Sequence, residues 1–162
     1  MSENTILLAQ QLGDILLAKG WQITCAESCT GGGIGYAITE ISGSSNWFER
    51  GFITYSNQAK QDMLGVSATT LERYGAVSAQ TVEALAACAA KAAGAQCAIA
   101  VSGIAGPEGG SAGKPVGTVW FGFALEQQLL AEKQQFSGDR QQVRQQAIDH
   151  GLSRICTLLR EK

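Results

Sequence analysis

The sequence predicts an α/β domain of three layers, an α/β/α sandwich in which helices cover both faces of a mixed central sheet. Apolar residues at helical spacing alternate along the chain with short β-rich runs. One of those runs, "CAIAVSG" at 97–103, is apolar almost throughout, the pattern of a strand buried on both faces. The size agrees: 162 residues, 45% hydrophobic and 16% charged, suit a single domain spanning 1–162.

Each element has its own signal. Leu8, Leu12, Ile15 and Leu16 recur at helical spacing, and Lys19 followed by Gly20 reads as a stop with a left-handed cap, so a first helix is expected over about Thr5 to Lys19. "WQITCA" reads as a strand that delivers the chain to Glu27 and Ser28. After "CTGGG", the stretch from Ile34 to Ile41 is expected to be a short helix that stops near "SGSS". "RGFITYS" is a second strand, and "SNQAKQDMLG" opens a helix with Ser56 or Asn57 as N-cap and Gly65 as its end. Val82, Leu85, Ala86, Ala89 and Ala93 form one stripe of a helix from about Ala79 to Ala93, which Gly94 closes. Beyond "CAIAVSG", the runs "VGTVWFGFALE" and "LLAEKQQFSG" read as neighbouring strands joined through Glu126 and Gln127. A closing helix from about Asp139 to Leu159 aligns Val143, Ala147, Ile148, Leu152, Ile155 and Leu159, leaving His150 off the buried side as a solvated or edge residue.

Composition excludes several function classes. A net charge of −2 with scattered Lys and Arg offers no footprint for a nucleic-acid backbone. The first segment carries acids and no cleavage-type site, and no apolar stretch reaches membrane-spanning length, so neither a signal peptide nor a membrane partner is expected. The five cysteines lack C-x-x-C spacing and the chain has a single histidine, which argues against a zinc site, a disulfide frame and any metal cofactor. A reducing cytoplasm is the expected compartment. "GGGIG" fails the dinucleotide pattern because Tyr36 stands where its last glycine belongs, and Gly109 to Lys114 is one residue short of a P-loop.

Ligands of open α/β sheets sit beyond the carboxyl ends of strands, where three unusual loops occur: "AESCTGGG", "TYSNQAK" and "VSGIAGPEGGSAGKP". Ser28 between a strand and a helix can be no more than a cap. It can equally be a nucleophile, with Gly31 and Gly32 leaving helix-start amides open to an oxyanion and Cys29 as its rival. A histidine-based triad has only His150 to draw on. Lys60 is then the plausible base, because a helix start and partial burial both disfavour a charged amine; read alone, it is also an ordinary surface lysine. The glycine-rich third loop is either a long surface loop or a backbone nest for an anion or flat polar ligand.

Taken together, "AESCTGG", "FERGFITYSNQAK", "YGAVS", "VSGIAGPEGG" and "KPVGTVWFGFA" closely resemble the CinA C-terminal domain family over roughly Thr24 to Arg144. The resemblance implies hydrolysis of the carboxamide of nicotinamide mononucleotide to nicotinate mononucleotide and ammonia, in pyridine-nucleotide salvage. It also implies a metal-free serine and lysine pair, matched here by Ser28 and Lys60, and a homodimer or higher homo-oligomer. Gly33 and Gly35 stand where bulkier residues are expected after "TGG". On this reading Thr30 orients the serine hydroxyl or the carboxamide, and Tyr55 tunes Lys60 or stacks on the pyridine. Gly31 and Gly32 bound the oxyanion, Ser102, Gly103 and Gly106 hold the ribose phosphate, and Arg140 or Arg144 adds charge-assisted bonds. Two other readings remain open: a non-catalytic nucleotide-binding or interaction module, and a serine amidase for another small carboxamide.

Overall fold

The computed structural model describes all residues, Met1 to Lys162. Helix α1 (Glu3–Lys19) starts two residues before the expected Thr5, because the Ser2 side chain caps it by accepting from the Thr5 amide; Gly20 ends it at φ 69°. Strand β1 (Ile23–Glu27) leads through the serine turn into α2 (Gly33–Thr39), which is shorter than expected. After a 3-10 turn at Ser44–Asn46, β2 occupies only Phe52–Ile53 instead of the whole of "RGFITYS". Helix α3 (Asn57–Leu64) has the expected cap, Ser56, and the expected stop, Gly65. Helix α4 (Ala68–Tyr74) was not expected: seven residues are too few for a stripe, although Ser67 caps it and Gly75 ends it. Helix α5 (Ala79–Ala93), β3 (Cys97–Gly103), β4 (Thr118–Leu125) and β5 (Gln128–Gln135) follow at or near their expected places. Helix α6 (Arg140–Arg160) opens with a capping box between Asp139 and Gln142.

The sheet is mixed, in the order β2-β1-β3-β4-β5. Strands β2, β1 and β3 are parallel, while β4 and β5 are antiparallel additions. The carboxyl ends of the three parallel strands therefore lie along one edge of the sheet. Helices α1, α2 and α6 cover one face through Ile23, Cys25, Ile99, Val101, Phe121 and Phe123. Helices α3, α4 and α5 cover the other through Ala26, Ala98, Ala100 and Ala124. The difference in side-chain size sets the spacing: with Gly122 and a run of alanines beneath its middle, α5 comes so close that a methyl group at 122 would collide with the main-chain carbonyl of Val82. No helix is long and apolar enough to cross a membrane.

His150 is an edge residue of the core and not a solvated one. It is half-buried, with its ring 4.7 Å from that of Phe121 and 6.1 Å from that of Phe136, and its Nε2 is buried without a partner. Residue 150 lies one turn beyond Ala147, so the buried stripe of α6 is wide enough to take it in. Burial lowers its pKa.

Candidate active site

Side chains alternate across a strand, and that parity separates Glu27 from Ser28. Glu27 follows Ile23 and Cys25 onto the α2 face of the sheet. Ser28 follows Ala26 onto the α3 face, where Ser102 also lies, two residues beyond Ala100. The Ser28 amide still donates to the Val101 carbonyl at 3.1 Å, so the β1–β3 pairing holds the serine one residue past the strand end.

Lys60 reaches the same place from the first turns of α3. It is 1% exposed, and its Nζ lies 2.7 Å from the Thr54 carbonyl oxygen, 3.3 Å from Ser28 Oγ and 3.5 Å from the Tyr55 carbonyl oxygen. Those carbonyls are available because β2 stops at Ile53: the Thr54 amide makes one last bond to the Glu27 carbonyl, then the chain leaves the sheet. A neutral amine has two N–H bonds and one lone pair. Nζ donates to the Thr54 carbonyl and toward Ser28 Oγ, and the serine hydroxyl lies 3.5 Å from the Tyr55 carbonyl; in the neutral amine the lone pair takes the serine proton once that hydroxyl turns from the carbonyl to Nζ. Burial pushes the Lys60 pKa below its ordinary value, which favours that neutral form.

A cavity of about 300 Å³ opens over the pair. Of the residues expected at the site, Ser28, Lys60, Tyr55, Ser102, Gly103, Gly106 and Arg140 line it, and Thr30, Gly31, Gly32 and Arg144 do not. Tyr55 is 60% exposed at the mouth and accepts from Arg140 Nη2 at 3.1 Å. Arg140 Nη1 donates to the Gly106 carbonyl at 2.8 Å, which carries its guanidinium across to the glycine-rich loop. Asn57, Ala76, Val77 and Glu108 also line the cavity and were not anticipated; helix and loop positions carry no local signal of a shared wall.

The family model of the CinA C-terminal domain matches residues 6–159. The chain belongs to the CinA C-terminal domain family. It is 61% identical over 155 residues to the nicotinamide-nucleotide amidohydrolase PncC of Enterobacter agglomerans, covering 95% of this chain and 93% of that protein. With the PncC of Escherichia coli K12 it shares 52% identity over 149 residues, 91% of this chain and 90% of that one. Among solved structures, a CinA superfamily protein from Klebsiella pneumoniae superposes with a TM-score of 0.95 at 37% identity, covering 99% of this chain and all of that one.

In this CinA C-terminal domain the turn after the serine is built differently from the sequence expectation. Thr30 is fully buried and its hydroxyl donates to Glu27 Oε1 at 2.6 Å, away from the cavity. The helix-start amides of Ile34 and Gly35 also go to the Glu27 carboxylate, at 2.9 and 3.0 Å, so they are not open to a ligand. Gly31 and Gly32 have φ of 58° and 100°, a left-handed path that glycine takes without strain. The amides of Gly31 and Gly33 close onto the carbonyls of Ser28 and Thr30, whereas no backbone carbonyl takes the Cys29 amide. Arg144, half-buried, donates to the carbonyls of Cys29 at 2.9 Å and Thr30 at 3.2 Å. Cys29 lines the cavity, and burial pushes its thiol up to about 11. Sequence reasoning passed over Glu27, which reads as an ordinary polar end to a strand; a carboxylate at a position whose parity points into the core is the signal that could have found it.

Proposed function

We propose that this chain is a nicotinamide-nucleotide amidohydrolase, one domain over residues 1–162, that converts nicotinamide mononucleotide to nicotinate mononucleotide and ammonia in pyridine-nucleotide salvage. The observation that carries the reading is the seat of Lys60, an almost wholly buried amine 3.3 Å from Ser28 Oγ with two carbonyls on its remaining side. A nucleotide-binding or interaction module without catalysis has no task for such an amine. The names of relatives at 61% and 52% identity supply the substrate.

Ser28 Oγ attacks the carboxamide carbon while its proton passes to the neutral Lys60 Nζ. The oxyanion forms beside the Cys29 amide, the donor next in the chain to the nucleophile, which no backbone carbonyl claims. Lys60 then gives its proton to the carboxamide nitrogen, the C–N bond breaks, and ammonia leaves a nicotinoyl ester on Ser28. Water attacks that ester. Lys60 accepts the water proton and returns it to Ser28 Oγ, and the nicotinate nucleotide departs. Arg140, charged and exposed at the cavity, is suited to the phosphate together with the loop of Ser102, Gly103 and Gly106. Arg144, with its donors turned to the serine turn, has no such role in this reading.

Five free cysteines suit a reducing cytoplasm. A homodimer or higher homo-oligomer rests on the family resemblance, and analytical ultracentrifugation measures it. The deciding experiment follows ammonia release from nicotinamide mononucleotide, nicotinamide riboside, nicotinamide and NAD by the purified protein. Release is expected to be fastest from the mononucleotide. No release from any of them refutes the amidase reading, and faster release from another carboxamide refutes the substrate.

A further inference from the structure

Glu27 is a buried carboxyl group with no cationic partner. It is 1% exposed, and the ion pairs of the protein lie elsewhere, between Glu49 and Arg50 and between Glu132 and Arg154. Four donors surround its carboxylate: the Thr30 hydroxyl at 2.6 Å and the Ile34 amide at 2.9 Å on Oε1, the Gly35 amide at 3.0 Å and the Cys25 thiol at 3.6 Å on Oε2. Such a group persists in a core only where its hydrogen bonds replace its hydration. Helix α2 has no side-chain cap of its own, since its N-cap is Gly32. Glu27 caps it from the end of β1, and that leaves positions 31 and 32 to the glycines whose φ the turn needs.

The result is a turn tied on both sides of Ser28. The carboxylate of Glu27 takes the hydroxyl and amides on the α2 face, and the Arg144 guanidinium takes the Cys29 and Thr30 carbonyls. Resting on the amidase reading above, we propose that Glu27 is the positioning residue of this enzyme: it does not touch substrate, but it stitches the end of β1 to the start of α2 and so fixes Ser28 Oγ and the Cys29 amide against Lys60.

Glu27→Gln keeps the size and removes the pattern, because its NH₂ must face a donor. Loss of register in the turn is expected to lower kcat about 100-fold, the scale of a displacement near 1 Å. KM is expected to stay within about threefold, and the apparent pKa of kcat/KM to stay at the wild-type value, because the base is Lys60. Thr30→Val, which removes one of the four donors, is expected to lower kcat about 10-fold, and Thr30→Ser to restore it. The backbone amides of Ile34 and Gly35, followed by hydrogen exchange, are expected to exchange at least about tenfold faster in Glu27→Gln. A Glu27→Gln kcat within twofold of wild type overturns the proposal, as does a loss confined to KM or a shift of the apparent pKa. If Glu27→Gln does not fold, equal kcat for Thr30→Val and Thr30→Ser overturns it. A wild type that releases no ammonia refutes the amidase reading instead, and the exchange of the two amides still decides whether Glu27 holds the turn.

Discussion

Replacing Lys60 with methionine removes the amine and keeps the bulk of a side chain that is 1% exposed. A positioned base contributes about 10²- to 10⁴-fold, so the barrier should rise by roughly 3 to 5.5 kcal/mol at ~1.36 kcal/mol per decade. The Thr54 carbonyl, 2.7 Å from Nζ, loses its side-chain donor. An orphaned buried acceptor costs ~1–3 kcal/mol, partly offset because the desolvated amine is gone. Lys60→Arg should fail too, since guanidinium does not shed its proton and the larger head overpacks the seat. The sign of the pH dependence follows from the lowered pKa of Lys60. Below the folded pKa the amine is protonated and inactive, so kcat/KM should rise with pH through a value under the ordinary ~10.4. Stability should move the same way: the unfolded chain holds the proton up to ~10.4, so the cost of burying the charge is complete below the folded pKa and gone above the unfolded one. Ammonia release between pH 6 and 10, with thermal melts of each variant, measures both. Ser28→Ala combined with Lys60→Met should be little worse than either alone, as expected for groups acting as a unit. A folded Lys60→Arg that turns over within tenfold of wild type refutes the lysine as base.

Cys29→Ala should keep turnover within a few-fold of wild type, because a thiol pushed up to about 11 stays protonated at neutral pH; a folded but inactive variant makes Cys29 the nucleophile. Arg140→Ala should raise KM for nicotinamide mononucleotide roughly 10- to 100-fold, the equivalent of ~1.5–3 kcal/mol for a hydrogen bond to a charged group. It should also shrink the preference for the mononucleotide over nicotinamide riboside; equal kcat/KM for the two substrates in the wild type defeats the phosphate assignment. Gly122→Ala should cost at least ~3 kcal/mol in a calorimetric or denaturant melt, because the added methyl meets the main chain of α5 at Val82 and not a side chain that can rotate away. An unchanged melting temperature would mean that α5 can move off the sheet.

Elements with several turns or a buried run were legible in the sequence because their signals are local. The ends of α5 follow from its alanine-rich stripe and Gly94, and β3 from seven nearly continuous apolar residues. Helix α4 is too short to show a period. Strand β2 was over-read because "FITY" has strand-like residues throughout, yet pairing stops after Ile53. At the site, the loops single out Ser28 and Lys60, whose side chains the structure brings within 3.3 Å of each other, whereas where the two arginines reach is not legible. Arg140 and Arg144 lie one helical turn apart on α6, and only tertiary packing sends the first to the cavity and the second to the serine turn. The choice between a solvated and an edge position for His150 is open in the sequence for a related reason: how wide a helix face is covered depends on the elements packed on it.

The carbonyls that hold Lys60 belong to the main chain, and this affects which mutations the buried amine can survive. Tyr55, exposed, can exchange its side chain without withdrawing its acceptor, and the fully buried Thr54 can do so for a side chain of its own size, such as valine; such substitutions leave the amine in its seat. What the seat cannot tolerate is a change in the route of the backbone, such as a deletion between Ile53 and Ser56 or one more residue of pairing on β2, since either would rotate both acceptors at once. Tolerance at these two positions should thus divide by kind of change: permissive to replacement of Tyr55 and to size-matched replacement of Thr54, intolerant of altered length.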